Sequence, residues 1–253
     1  MTVSTRIALI TGGSRGLGRS MALKLAEGGS DVVLTYRSQE TEAHEVLRRI
    51  ESLGRRGVAL QLDVADGASF GAFAARLQRV LADTWHRERF DHLVNNAGVG
   101  VHASFAETTQ AQFDHLVAVH LKATFFLTQA LLPLIADGGR IVNISSGLAR
   151  FSLPGFSAYA AVKGGVEVLT RYMAKELGPR GIAVNTIAPG AIETDFGGGV
   201  VRDNPQLNAE IARQVALGRV GLPDDVGAAV AALLADSGWI NGQRIEVSGG
   251  MLL

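Results

Sequence analysis

The chain has 253 residues, equal numbers of acidic and basic side chains and no cysteine. A formal charge of zero and a pI near 7 give no electrostatic ground for nucleic acid or an anionic membrane as partner. Without cysteine there are no disulfides, thiolate metal sites or cysteine nucleophiles, which fits a reducing compartment.

The chain reaches a strand-like run by Ile7 with no basic-then-apolar leader, and no uninterrupted apolar stretch approaches membrane length, so a soluble cytoplasmic protein is expected. Ile7-Ala-Leu-Ile10 has the character of a strand buried on both faces of a parallel sheet. It enters Thr11-Gly12-Gly13-Ser14-Arg15-Gly16-Leu17-Gly18, after which Leu17 to Glu27 shows helical periodicity and stops at Gly28-Gly29. A strand, a glycine turn and a helix form the setting in which backbone N–H groups hold a pyrophosphate. The next strand, Asp31 to Tyr36, ends in Arg37. An acidic residue there binds the ribose diol of NAD, whereas a basic one accommodates the extra phosphate of NADP. Arg37 and Arg15 would bracket that phosphate, so NADP(H) is favoured over NAD(H); either arginine could otherwise be solvated surface.

A charged amphipathic helix from about Gln39 to Leu53 precedes a strand from Val58 to Leu62 ending at Asp63-Val64. The Asp63 carboxylate could accept the adenine amino group or cap the helix that follows, from about Ala68 to Ala82. Asp91 to Val94 is the fourth strand, running into Asn95-Asn96-Ala97-Gly98, where small residues would let the backbone lie against a ribose and the amides could stitch strand ends together. A long apolar helix from about Gln110 to Leu134 carries His115 and His120. Five residues apart, they point about 140° from each other and form no metal pair. Nor do His44, His86, His92 and His102 show ligand spacing, so no metal is expected.

The strand Arg140 to Ile144 leads to Ser145-Ser146 and then to a helix starting near Ser157 that carries Tyr159 and Lys163 and runs to Leu177. Four residues apart on a helix, the phenol and the ammonium share one face. Bringing a tyrosine from near 10 to about 7 takes roughly 4 kcal/mol. A cation about 4 Å away at an effective dielectric near 20 supplies about that. The expectation is that Lys163 makes Tyr159 a working acid/base, with Ser146 donating to a carbonyl oxygen. Gly164-Gly165 inside this helix suggest close packing against another element. The strand Ala183 to Ile187 passes into Pro189-Gly190-Ala191-Ile192-Glu193-Thr194, and Asp195 to Asn208, rich in glycine and weak in periodicity, suggests a lid at about 190–215. A helix from Pro223 to Leu234 and a strand from Arg244 to Val247 close the chain. Strands alternate with helices without repeats or a linker, which predicts one α/β doubly wound Rossmann domain over 1–253 with about seven parallel strands.

Thr11-Gly-x-x-x-Gly-x-Gly18, Asn95-Asn-Ala-Gly98, Ser146, Tyr159-x-x-x-Lys163 and Pro189-Gly190 occur in order and resemble the short-chain dehydrogenase/reductase family along the whole chain. The overall appearance is similar to NADPH-dependent 3-oxoacyl-carrier-protein reductases and related carbonyl reductases. The resemblance implies that Tyr159 protonates the carbonyl oxygen, that Lys163 lowers its pKa and bonds the nicotinamide ribose, and that Ser146 positions the carbonyl. It assigns Gly12, Ser14, Arg15, Gly16, Leu17 and Gly18 to the phosphates, Asp63 and Val64 to the adenine, and Asn95 and Gly98 to the adjoining ribose. Ile192 and Thr194 would lie on the carboxamide side, and Pro189 and Gly190 would also belong to the cofactor site. It also implies a homotetramer, with the Gly164-bearing helix and the last strand as contacts.

One position departs from the family, because His120 stands where asparagine usually holds a water on the lysine's proton-relay path. The imidazole could join that relay or be a packed, hydrogen-bonded helix residue. The sequence therefore suggests an NADP(H)-dependent interconversion of a ketone and a secondary alcohol, on a small apolar substrate given Phe151, Leu153, Phe156 and Phe196. Competing readings are a 3-oxoacyl-carrier-protein reductase, disfavoured by the lack of a basic docking cluster, and a non-catalytic NADP(H) sensor or scaffold. A sugar-nucleotide epimerase shares the Tyr/Lys pair but would need a larger carboxyl-terminal domain.

Overall fold

A computed structural model of the chain describes residues 5–235 and 238–253. Seven parallel strands form one sheet in the order β3-β2-β1-β4-β5-β6-β7. The strands are β1 (Ile7–Ile10), β2 (Asp31–Tyr36), β3 (Gly57–Gln61), β4 (Phe90–Asn95), β5 (Ile135–Ile144), β6 (Ala183–Pro189) and β7 (Arg244–Val247). Alternation along β1 splits the core into two layers. Ala8 and Ile10 pack with Met21, Leu25, Val46, Ile50 and Val230 on one face, while Ile7 and Leu9 pack with Phe73, Leu77, Leu127 and Leu131 on the other. The first face is covered by α1 (Gly16–Glu27), α2 (Glu40–Ser52) and α9 (Pro223–Ala235). The second is covered by α3 (Phe70–Trp85), the broken helix α4 (Gln110–Leu116) and α5 (Ala123–Leu131), and α6 (Ser157–Leu177).

The strand order reverses between β1 and β4, which pair directly: Ala8 with His92, Leu9 with Leu93, Ile10 with Val94. Chains leaving these two strands diverge, so a crevice opens beyond their carboxyl ends, where ligands bind in sheets of this kind. The glycine turn and the Asn95–Gly98 loop are the two segments that emerge there.

Some sequence expectations shift. The long helix is interrupted by a π-turn over Val117–Lys122, and its end passes straight into β5, which begins five residues before the expected Arg140. By length and composition alone the run Gln110–Leu134 would suit a membrane, yet Leu116, Ala123, Leu127 and Leu131 are spent on the core. The expected aperiodic stretch after Asp195 contains two short helices, α7 (Val200–Asp203) and α8 (Pro205–Ala212). Asn204 starts α8 by accepting from the Leu207 N–H, with Pro205 in the first turn, a local signal that outweighs the weak periodicity. Of the glycine pair in α6, only Gly165 faces another element of this chain, the Leu121 side chain, whereas Gly164 faces open space.

Candidate active site

The glycine turn is built by backbone geometry before any ligand is considered. Gly12 and Gly16 have φ of +65° and +53°, a region that costs L-residues energy. The turn is bolted to β2, with the Gly12 N–H donated to Thr35 Oγ1 at 3.1 Å and the Gly13 N–H to the Thr35 carbonyl at 2.8 Å. A Cβ on Gly18 would fall on the Gly12 carbonyl oxygen, so α1 can press this closely only with glycine there. Arg15, the residue before α1, provides no side-chain cap, which leaves the first N–H groups of the helix uncapped and open to an anion. Ser14 is buried beside them, while Leu17 packs partly into the core.

The Asn95–Gly98 loop lies against this turn. Thr11 Oγ1 accepts the N–H groups of Asn96 and Ala97 at 2.9 and 3.0 Å, and Asn96 Nδ2 donates to the Thr11 carbonyl at 2.8 Å. Asn95 corrects an expectation: its side chain does not face the crevice. Its amide nitrogen donates inward to Thr128 Oγ1 at 3.0 Å and Asn143 Oδ1 at 2.8 Å. A buried amide has to satisfy its donors, and the strand interior offers acceptors, so only the backbone of Asn95 remains for a ribose. Asp63 is exposed, and its carboxylate accepts the Ala65 N–H at 2.9 Å, bracing the turn after β3; Val64 is half-buried beside it. Arg15 and Arg37 are exposed, and among the described residues neither guanidinium has a hydrogen-bond or ion-pair partner.

Across the crevice, β6 ends at Pro189, and Gly190 donates its N–H to the Val247 carbonyl at 3.0 Å. A Cβ at Gly190 would come within 2.8 Å of Ser248 Cβ, which explains glycine at this crossing. Ile192 bridges to Gly221, and buried Thr194 stands opposite Gly16, closing the far side of the crevice.

Ser146, Tyr159 and Lys163 converge beside these elements. Ser146 is extended at the end of β5, and its Oγ accepts the Leu148 N–H at 3.2 Å, capping the short turn that follows. Tyr159 and Lys163 lie one turn apart on α6 and are 6% and 4% exposed. Burial raises the phenol above its ordinary value, and the Ser146 hydroxyl beside it opposes that only in part. Burial pushes the Lys163 ammonium down to about 7. Its Nζ donates to the Ile144 carbonyl at 2.7 Å and lies 5.6 Å from the centroid of the Tyr159 ring. The expected lowering of the phenol by the lysine is therefore not the dominant effect in the protein alone. Desolvation wins, because both groups are buried, Tyr159 among apolar side chains such as Leu116, Val162 and Leu148. A phenol held protonated in this way is an acid waiting for a base.

His120 sits in the π-turn, 2% exposed, with Nε2 donating to the Val99 carbonyl at 2.8 Å. Its ring meets Tyr159 edge-on at 5.4 Å, and a Cβ at Gly98 would collide with it at 2.7 Å. Burial, with the Lys163 charge adding to it, drives its pKa far below the usual imidazole range. Burial therefore favours the neutral imidazole, and the geometry sets His120 between the Asn95–Gly98 loop and the tyrosine ring. Two participants escaped sequence reasoning. Glu167 accepts from Ser145 Oγ at 2.7 Å and from Arg244 Nε at 2.8 Å, holding the strand end next to Ser146, and its place four residues after Lys163 on α6 was the available signal. Gly100, under the Phe196 ring, left no local signal at all.

A sequence-family model described as enoyl-(acyl carrier protein) reductase matches residues 12–252. The hydroxynaphthalene reductase-like protein Arp2 of Metarhizium brunneum is 34% identical over 261 residues, covering 98% of this chain and 96% of that protein. Among solved structures, the promiscuous reductase LugOII, which catalyses keto-reduction at C1 during lugdunomycin biosynthesis, superposes with a TM-score of 0.93 at 39% identity, covering 99% of each chain. The angucycline C-6 ketoreductase LanV with bound NADP superposes with a TM-score of 0.92 at 35% identity, covering 98% of this chain and 96% of that one.

Proposed function

The chain belongs to the short-chain dehydrogenase/reductase family, and from that footing we propose that it is an NADP(H)-dependent ketoreductase acting on a flat, largely apolar aromatic ketone. The observation that carries the reading is the convergence of Ser146, Tyr159 and Lys163 beside the glycine-turn crevice. The crevice suits the cofactor: a turn cleared of side chains, an uncapped helix N-terminus, and two arginines that have no protein partner among the described residues and could take a 2′-phosphate. When bound, the nicotinamide supplies or accepts the hydride.

In reduction, Ser146 donates a hydrogen bond to the substrate carbonyl and Tyr159 Oη delivers the proton to the oxygen as it becomes an alkoxide. Lys163 has three donors and spends one on Ile144, so others remain to stabilise the phenolate left behind. A titration near 7 lets it hold or release that stabilising proton at working pH. Substrate aromaticity is supported by the Phe196 ring beside Tyr159, by the Phe151 ring against Gly147 next to Ser146, and by the aromatic substrates for which the hydroxynaphthalene reductase-like and angucycline ketoreductase relatives are named. We read the segment at about 190–215 as the substrate lid, in a single domain, because it starts at Gly190 beside the catalytic strand and packs Phe196 on Tyr159.

The same reading includes a cytoplasmic homotetramer. It is supported by exposed Phe125 and Phe126 on α5, Val168 and Tyr172 on α6, and the open face at Gly164. A 3-oxoacyl thioester is the competing substrate; the matching family, named for an enoyl-(acyl carrier protein) reductase, supports a carrier-bound acyl chain but not the 3-oxo group itself. The deciding experiment follows NADPH and NADH oxidation with a panel of aromatic ketones, aliphatic ketones and a 3-oxoacyl thioester, with Tyr159→Phe as control. NADPH-dependent reduction lost in Tyr159→Phe is expected; cofactor binding without consumption by any ketone would mean a sensor instead.

A further inference from the structure

Three features meet at the outer wall of the site without a part in the proton chemistry: Phe196, Gly100 and the glycines after Phe196. Phe196 is 43% exposed, and its ring centroid lies 5.7 Å from that of Tyr159, tilted by 56°. The same ring stands directly over Gly100, where a Cβ would come within 2.8 Å of Cζ and 2.9 Å of Cε1. Gly100 is not among the residues with positive φ, so its backbone does not demand glycine. What glycine supplies there is room for the ring.

The backbone that follows the ring is one that only glycine adopts without strain. Gly197, Gly198 and Gly199 have φ of +63°, +78° and +80°, three successive left-handed residues. Nothing lies within 4 Å of where side chains at 197 and 198 would begin. On the near side the Phe196 N–H is donated to Thr194 Oγ1 at 3.2 Å, and on the far side Arg202 pairs with Asp195 and, at 2.7 and 2.8 Å, with Asp203. Those charges are about half exposed, so the pairs hold the tip weakly and are easily reopened.

Resting on the ketoreductase reading, we infer that Phe196, seated in the socket left by Gly100, is the residue that selects substrate shape: it offers a ring beside Tyr159 on which a flat aromatic ketone packs and a flexible aliphatic ketone does not. Ring–ring packing beyond simple area burial changes affinity by roughly 2- to 10-fold, which sets the size of the effect.

The test uses two ketones of equal carbon number, 1-tetralone and 2-decanone, and reads the ratio of their kcat/KM values with NADPH. In Phe196→Leu the ratio falls by about 2- to 10-fold, mainly through the KM for 1-tetralone, while Phe196→Tyr keeps it. Gly100→Ala fills the socket and lowers the ratio in the same direction, and adding it to Phe196→Leu produces no further fall. An unchanged ratio in Phe196→Leu, an equal loss for both ketones, or a Gly100→Ala effect that persists in the Phe196→Leu background would overturn the inference. A wild-type protein that reduces neither ketone would overturn the ketoreductase reading and this inference together, a result distinct from an unchanged ratio.

Discussion

At the residue scale, the site is governed by desolvation. Lys163 titrates near 7 in the folded chain and near its ordinary value when unfolded, so between those limits the unfolded chain binds more protons and stability rises with pH. Below about pH 7 the full penalty of burying the charge is present. Lys163→Met removes it at the cost of one carbonyl partner at Ile144, about 1–3 kcal/mol. The variant is expected to lose reduction activity yet melt higher than wild type at pH 6.5, by at least about 2–4 °C, with the gain shrinking toward pH 10. Melting curves at the two pH values check the sign, and a variant less stable at pH 6.5 would refute the account. His120 supplies a second case. Because burial favours its neutral form and its ring is bound to Val99, His120→Asn should leave the shape of the pH–rate profile intact and lower kcat/KM by less than about tenfold. An ionisation that vanishes from the profile would return His120 to the proton path.

At the element scale, the segments that matter are those whose backbone is open at one end. The α1 N-terminus has no side-chain cap, and the arginines at its edge and at the end of β2 are unspent among the described residues. A charge-assisted hydrogen bond to a phosphate is worth about 1.5–3 kcal/mol, so losing one costs roughly 10- to 100-fold in affinity. Arg15→Ala and Arg37→Ala should each raise the KM for NADPH by about tenfold or more while barely changing the KM for NADH. Equal effects on both cofactors would remove the arginines from 2′-phosphate recognition. The π-turn at Val117–Lys122 belongs to this scale too: one extra residue per turn brings His120 inward over Gly98, and Thr124 Oγ1 donates back to the freed His120 carbonyl at 2.6 Å.

At the scale of the whole molecule, long-range ties frame the site from outside. Arg150, four residues after Ser146, makes a two-pronged ion pair with Glu246 of β7 at 2.8 Å on each prong and also donates to the carbonyls of Met251 and Leu252. The carboxyl-terminal turn also pairs with the segment that follows α8, where the Leu217 N–H is donated to the Gly249 carbonyl at 3.0 Å. The outer faces of α5 and α6 carry exposed apolar residues, Phe125, Phe126, Val168 and Tyr172, in the single chain. Phe125→Asp together with Tyr172→Asp should convert the proposed tetramer into smaller species in light scattering, without changing the far-ultraviolet circular dichroism. A mass unchanged from wild type would exclude these faces as the contact.

Much of this was readable in advance, for one physical reason: relations within a few residues are set by the local backbone. The strand–turn–helix unit at Ile7 to Glu27, the Tyr159/Lys163 pair one helical turn apart, and all seven strands required only periodicity and glycine placement. What tertiary structure alone decided lies across larger separations. Whether the Asn95 amide faced a ribose or the core depended on Thr128 and Asn143 arriving from α5 and β5. Whether Lys163 lay against the phenol or the Ile144 carbonyl depended on how α6 docks on β5. Gly100 and Phe196 are nearly one hundred residues apart, and only packing brought the bare backbone of one under the ring of the other. Desolvation follows the same division, because a side chain's chemistry is written in its type but its dielectric surroundings are assembled from the rest of the fold.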